Sequence, residues 1–130
     1  MDLIQRREML APIANPGGGR DYVITLGGDI ELPDHGGAMA VTLRYVPDRH
    51  VLAPNTYGNY LATIGELKWE TLEAVAVAIL DDVSNELLPR WAQVSLRHVG
   101  DGHTERHDIC LEECQPGWRN DDLLYRLPPI

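Results

Sequence analysis

The sequence predicts an α+β protein in which one four-stranded antiparallel sheet carries two helices on one face, in the order strand, strand, helix, helix, strand, strand. Three observations lead there. Apolar residues alternate at period two in early and late stretches of the chain, as half-buried strands require. Between those stretches they recur at three- and four-residue steps, which makes a helical stripe. Short turn-forming clusters separate the members of each strand pair, so each pair is expected to close as an antiparallel hairpin. Helices gathered on one face of such a sheet satisfy the layer rule for a small domain.

Residues 1 to 19 read as a leader, because Asn15-Pro16-Gly17-Gly18-Gly19 resists regular structure and feeds the first strand. The single domain is expected over residues 20–114. From Arg20, Tyr22, Ile24 and Leu26 lie at period two; Gly27-Gly28 suggests a bulge or bend, and Ile30 and Leu32 resume the pattern. Pro33-Asp34-His35-Gly36-Gly37 is a turn, and Met39 to Val46 is the second strand. Asn55 or Thr56 can cap a short helix through Tyr60, Leu61 and Ile64. Thr71 begins a longer one, in which Leu72, Val75, Ile79, Val83 and Leu87 form the buried stripe. Asp81, Asp82, Asn85 and Glu86 are assigned to its solvated side, and Pro89 stops it. Trp91 to Arg97 alternates as a third strand; Asp101-Gly102 signals a two-residue hairpin, and His103 to Cys114 is the fourth strand. Residues 115–130 form a tail without periodic signal.

A chain of 130 residues is expected to make one domain and to bury a core without disulfide or metal. Phenylalanine is absent, so Leu, Val, Ile, Ala, Tyr and Trp must fill that core. The longest apolar run, Ala74 to Leu80, is far shorter than the roughly 20 residues of a membrane span. The first residues lack the apolar core of a signal peptide, so a cytoplasmic location is expected, with no membrane partner. Eleven Lys plus Arg against twenty Asp plus Glu, a net charge of −9, argue against a nucleic-acid partner. The sheet would have two open edges, which invite pairing between subunits; a homo-oligomer, closed into a ring, is expected.

Three stretches resemble a known family. They are Asn15-Pro16 with Arg20-Asp21-Tyr22; Tyr45-Val46-Pro47-Asp48; and Ile79-Leu80-Asp81-Asp82 with Pro89-Arg90-Trp91 and Val94. In this order and spacing they are similar to the tunnelling-fold (T-fold) superfamily and, within it, to the 7-cyano-7-deazaguanine nitrile reductases of queuosine biosynthesis, the QueF family. The similarity covers residues 10 to 98. It implies subunits whose sheets join into barrels.

The family's chemistry does not follow. Its cysteine, between the first two strands, attacks the nitrile carbon to give a thioimide that a nicotinamide cofactor reduces, which requires a thiolate. Residues 23 to 44 of this chain contain no cysteine. The family's cofactor segment, Glu-Ser-Lys-Ser-hydrophobic-Lys, falls on Ala53 to Asn59, where both lysines are missing. His98-Val99-Gly100-Asp101 stands in place of its Arg-Gly-Gly. Neither nitrile reduction nor NADPH binding is expected, and no other cofactor is implied.

The resemblance also implies a ring anchor. The tunnelling fold holds the edge of a purine- or pterin-like ring with a glutamate on its second helix, whose carboxylate accepts two parallel hydrogen bonds. With one residue inserted after Leu61, Glu73 falls on that position and Leu72 replaces the family's histidine. Glu73 equally fits an ordinary glutamate near a helix N-terminus. Tyr57 and Tyr60 are candidates to stack on a bound ring or a neighbouring subunit. Asp34 and His35 in the turn, together with His98, are candidates for acid–base work, although turns favour Asp for backbone reasons alone.

His103, His107, Cys110 and Cys114 are zinc-type residues. On one strand the histidines at odd positions and the cysteines at even positions would point apart, so no metal site is expected. A Cys110–Cys114 disulfide is not expected either, because four extended residues overreach its geometry. Three readings remain open: an oligomer that binds a heterocycle without reducing nitriles, a non-enzymatic scaffold subunit, or an enzyme of altered chemistry using Asp34, His35 or His98.

Overall fold

The computed structural model describes residues 1–130. In chain order its elements are α1 (Leu3–Glu8), β1 (Pro12–Ala14), β2 (Ile24–Leu32), a 3-10 turn (Pro33–His35), β3 (Gly37–Val46), β4 (His50–Leu52), α2 (Thr56–Glu66), α3 (Leu72–Leu87), β5 (Trp91–His98), β6 (Ile109–Cys114) and α4 (Asp121–Tyr125). The main sheet is antiparallel, in the order β2-β3-β5-β6. Both long helices pack on one face, α2 against β2 and α3 against β5 and β6. The α+β class and the ββααββ order expected from periodicity are therefore present.

Alternation builds the core. Ile30, Leu32, Met39, Val41, Leu43, Tyr45, Ala92, Val94 and Leu96 point towards the helices and are buried. They meet Tyr60, Leu61 and Ile64 of α2 and Val75, Ile79, Val83 and Leu87 of α3. The Thr71 side chain caps α3 by accepting the Ala74 N–H at 3.0 Å. Leu88 ends that helix in the left-handed region (φ 47°), its N–H bonded to the Ser84 carbonyl, and Pro89 prevents continuation.

Several local expectations are corrected. Gly27 and Gly28 form no bulge: they pair in unbroken register with Thr42 and Val41. A Cβ on Gly28 would lie 2.6 Å from Leu61 Cδ1, so the glycine is there to let α2 settle on β2. The first strand begins at Ile24 and the fourth at Ile109. Residues 99–108 make a loop where a two-residue turn was expected, because side chains hold them instead of a ladder. Asp108 accepts the His98 N–H at 3.3 Å, and Arg106 donates to the His98 carbonyl at 3.3 Å.

The leader is also structured. Asp2 and Gln5 form a capping box on α1, and β1 pairs antiparallel with β4. In the tail, α4 is capped by Asn120, and the Pro128 carbonyl accepts from Arg44 at 2.6 Å. No helix is long and apolar enough to cross a membrane.

Asp82 is the largest correction. It was placed on the solvated side of its helix, yet it is fully buried. Arg6 donates to it from Nε at 2.6 Å and Nη2 at 2.9 Å, Arg7 from Nε at 2.9 Å, and Tyr60 from its hydroxyl at 2.5 Å. Burial alone would push the Asp82 carboxyl up, but hydrogen bonds from Arg6, Tyr60 and Arg7 outweigh it and hold the group below its ordinary 3.8.

Asp82→Ala should therefore lower stability by about 3 kcal/mol in urea unfolding, the lower part of the range for breaking a buried pair, since Arg6 and Arg7 keep some solvent contact. The folded-state value is depressed, so the contribution is complete above the unfolded-state value and fades as pH falls through the folded one. Acid unfolding of Asp82→Asn should lack that component. An unchanged acid limb would show that Asp82 is not charged in the fold.

Candidate functional site

Four segments converge where β2 turns into β3 and β5 ends. His35 Nε2, in the 3-10 turn, donates to the Trp69 carbonyl at 2.6 Å. His98 Nε2, at the end of β5, lies 3.1 Å from the His35 carbonyl, and His98 Nδ1 accepts the His107 N–H at 3.1 Å. The His107 ring then reaches α3, with Nε2 at 2.7 Å from Glu73 Oε2. One path of hydrogen bonds thus joins His35, His98, His107 and Glu73.

The His98 ring meets both partners only as the neutral Nε2–H tautomer, because its Nδ1 is an acceptor. His103 stacks on it with centroids 4.4 Å apart and planes 16° apart. Gly36 makes room: it has φ 96°, and a Cβ there would stand 2.7 Å from His98 Nε2. His98 itself is buried, so its ring acts as a fastener of the turn and of the 99–108 loop.

Glu73 is the exposed end of this path; its side chain is 58% exposed and that of His107 39%. Its own backbone N–H at the start of α3, and then His107, pull its carboxyl below the usual carboxylate range. It is therefore an ionised acceptor held in place by an imidazole. Leu72, the residue before Glu73, is buried, and the fold brings a histidine to Glu73 from 34 residues later in the chain. No local pattern announces that pairing.

The other candidates lie elsewhere. Tyr57 and Tyr60 are buried, with hydroxyls donating to the Val41 carbonyl at 3.0 Å and to Asp82. Their spacing with Leu61 and Ile64 turns them onto the sheet, so neither ring offers a face to a ligand within this chain. Burial pushes both phenols up. Asp34 is exposed and takes no part in the histidine path. Beside it a cavity of about 40 Å³, walled by His35, Lys68 and Trp69, is too small for a ring. Cys110 and Cys114 are free and exposed on β6, two strands away from the β2–β3 hairpin. No group of three or more His, Cys, Asp or Glu side chains is placed to hold a metal ion. Ala53 to Asn59, which leads into and begins α2, carries no cationic side chain.

The chain is 29% identical over 131 aligned residues to the NADPH-dependent 7-cyano-7-deazaguanine reductases of two strains of Acidithiobacillus ferrooxidans, covering 93% of this chain and 88% of theirs. Its structure matches that of the archaeosine synthase QueF-Like in the apo form with a TM-score of 0.54 and 19% identity, over 71% of this chain and 91% of that one. No family model matches the chain. The resemblance read from the residues is borne out: sequence and fold are QueF-like.

In His107→Ala the Glu73 carboxyl should titrate higher, moving only part of the way to the ordinary range because the backbone N–H remains. Carboxyl-carbon NMR across the acid range reads this directly. An unmoved Glu73 would mean that the pair does not form in solution.

Proposed function

We propose that this QueF-like chain does not reduce nitriles and instead binds the edge of a purine-, deazapurine- or pterin-like ring through Glu73 at an interface between subunits. The supporting observation is the exposed, ionised Glu73 carboxylate oriented by His107, in a chain with no cysteine near the β2–β3 hairpin. Glu73 Oε1 meets no other side chain and can accept from a ring N–H or exocyclic amine, while His107 steadies Oε2. The names of the relatives, a 7-cyano-7-deazaguanine reductase and an archaeosine synthase, favour a deazaguanine among such rings.

One chain supplies one wall of such a site, since more than half of the Glu73 side chain faces solvent. The other wall comes from a second subunit. β2 and β6 end the sheet with unpaired edges, and joining β2 of one copy to β6 of the next would cover both. The protein then works as a homo-oligomer in the cytoplasm, without NADPH. Acid–base catalysis by His35 or His98 is disfavoured, because both nitrogens of His98 and Nε2 of His35 are already bonded, and this leaves exposed Asp34 without a histidine partner for such work. The open edges also suit a second reading, a scaffold subunit whose role is the assembly itself.

Calorimetry with guanine, 7-cyano-7-deazaguanine and pterin should find a ligand whose affinity falls about 10- to 100-fold in Glu73→Gln, the size of a lost charge-assisted hydrogen bond. Incubation with 7-cyano-7-deazaguanine and NADPH should leave the absorbance of NADPH unchanged. Native mass spectrometry should give a multiple of 14.5 kDa. An assembly that binds none of the rings would select the scaffold, and a monomer would remove both readings.

A further inference from the structure

The face of the sheet turned away from α2 and α3 carries a second polar centre. Arg44 of β3 is buried, with 7% of its surface exposed, and no carboxylate pairs with it. Its one hydrogen bond runs from Nη2 to the Pro128 carbonyl, and its Nε–H is buried without a partner. Gln93, directly opposite on β5, has a buried Oε1 that is likewise unpartnered. A buried cation with no anion and a buried acceptor with no donor are both costly, and here they are neighbours. Both line a cavity of about 430 Å³ whose wall also includes Ser95, Arg97, Cys110, the tail residues Pro129 and Ile130, and one carboxylate, Asp108.

We propose that this cavity binds a small oxyanion that brings its own hydrogen-bond donor, such as a hydroxycarboxylate or a monohydrogen phosphate. An anionic oxygen accepts from Arg44 Nε–H while the ligand's O–H donates to Gln93 Oε1, which satisfies both orphaned atoms at once. Buried Ser95 adds a hydroxyl. Arg97 adds positive charge, which Asp108 offsets weakly at 4.0 Å because Arg106 also holds that carboxylate at 3.8 Å. Burial, and then Glu112, push the Cys110 thiol up, so this cysteine on the cavity wall stays neutral beside an incoming anion. The Pro128 carbonyl fixes the guanidinium, and Pro129 and Ile130 close one side, so the tail is part of the site.

The test is titration calorimetry of the full chain at constant ionic strength with inorganic phosphate, lactate and acetate. Saturable one-to-one binding of phosphate, of lactate, or of both is the expected result, and which of the two binds identifies the source of the oxyanion. Acetate, which has no donor, should bind at least tenfold more weakly. Arg44→Gln should weaken binding by at least about 30-fold, the effect of removing a buried charge partner. Gln93→Glu guards against misfolding of that variant: it places a carboxylate opposite Arg44, so it should abolish anion binding and raise the melting temperature of the free protein. The proposal is overturned if neither phosphate nor lactate gives saturable heat, if acetate binds as tightly as the tighter of them, or if Gln93→Glu binds them like the wild type.

Discussion

A carboxylate buried in a helical layer must be met by cations, and in this chain the cations come from the N-terminal segment. Arg6 and Arg7 on α1 reach Asp82 on α3, and Tyr60 brings α2 to the same oxygen atoms. Helices that pack on different strands are thereby tied to one point. The chain leaving α1 then buries Leu10 and lays β1 against β4. Such a cluster is weak evidence for net stability, because desolvating the charges offsets much of their attraction. What it enforces is placement: any other path for the leader strands an unpaired charge in the core.

That placement extends to the candidate site. The Arg6 guanidinium also lies over the Trp69 ring, 5.7 Å from its centre, and Trp69 is pinned by its indole N–H to the Ile64 carbonyl at 2.8 Å. The Trp69 carbonyl in turn receives His35, from which the path continues through His98 and His107 to Glu73. The α2–α3 connection, the β2–β3 turn and the 99–108 loop are therefore held by side chains at positions where regular pairing has stopped. Glu73 needs no strained backbone to be presented. It stands in the first turn of α3, where the helix favours its charge, and an imidazole from the far hairpin limits its motion.

Much of this was legible in the sequence. Period-two alternation located β2, β3 and β5, and the stripe from Leu72 to Leu87 located α3, because each element buries one face across its whole length. The position of Glu73 followed from a resemblance confined to short, ordered stretches. Asp82 was misread since an acid between Asp81 and Val83 looks like the solvated flank of a helix; only the distant arginines reveal its burial. β1 is too short to show a period, and its partner is β4, far along the chain. The burial of Tyr57 and Tyr60 was hidden for a different reason: an aromatic residue on a short helix fits a stacking surface and a core equally well, and the closeness of α2 to β2 at Gly28 places both rings in the core. His107 was legible only as a zinc-type residue, because its partner across the fold leaves no trace in local spacing.

The two faces of the sheet handle buried charge in opposite ways, and the difference bears on function. On the helical side every polar atom of Asp82 has its donor, as expected of a group whose work is to fix structure. On the other side Arg44 keeps an unused donor and Gln93 an unused acceptor, set opposite each other on the central strands. Both lie within a sheet too regular to move aside for them. Unmet polar groups on rigid strands are rare in folded chains and call for a partner, which is the ground for the oxyanion site proposed there. No cysteine lies on β2 or β3 or in the turn between them, and both cysteines of the chain stand on β6. The polar groups left with spare hydrogen-bonding capacity are therefore an exposed, oriented carboxylate at one end of the sheet and a buried guanidinium on its open face, and the binding proposed for each needs neither a thiolate nor a hydride donor.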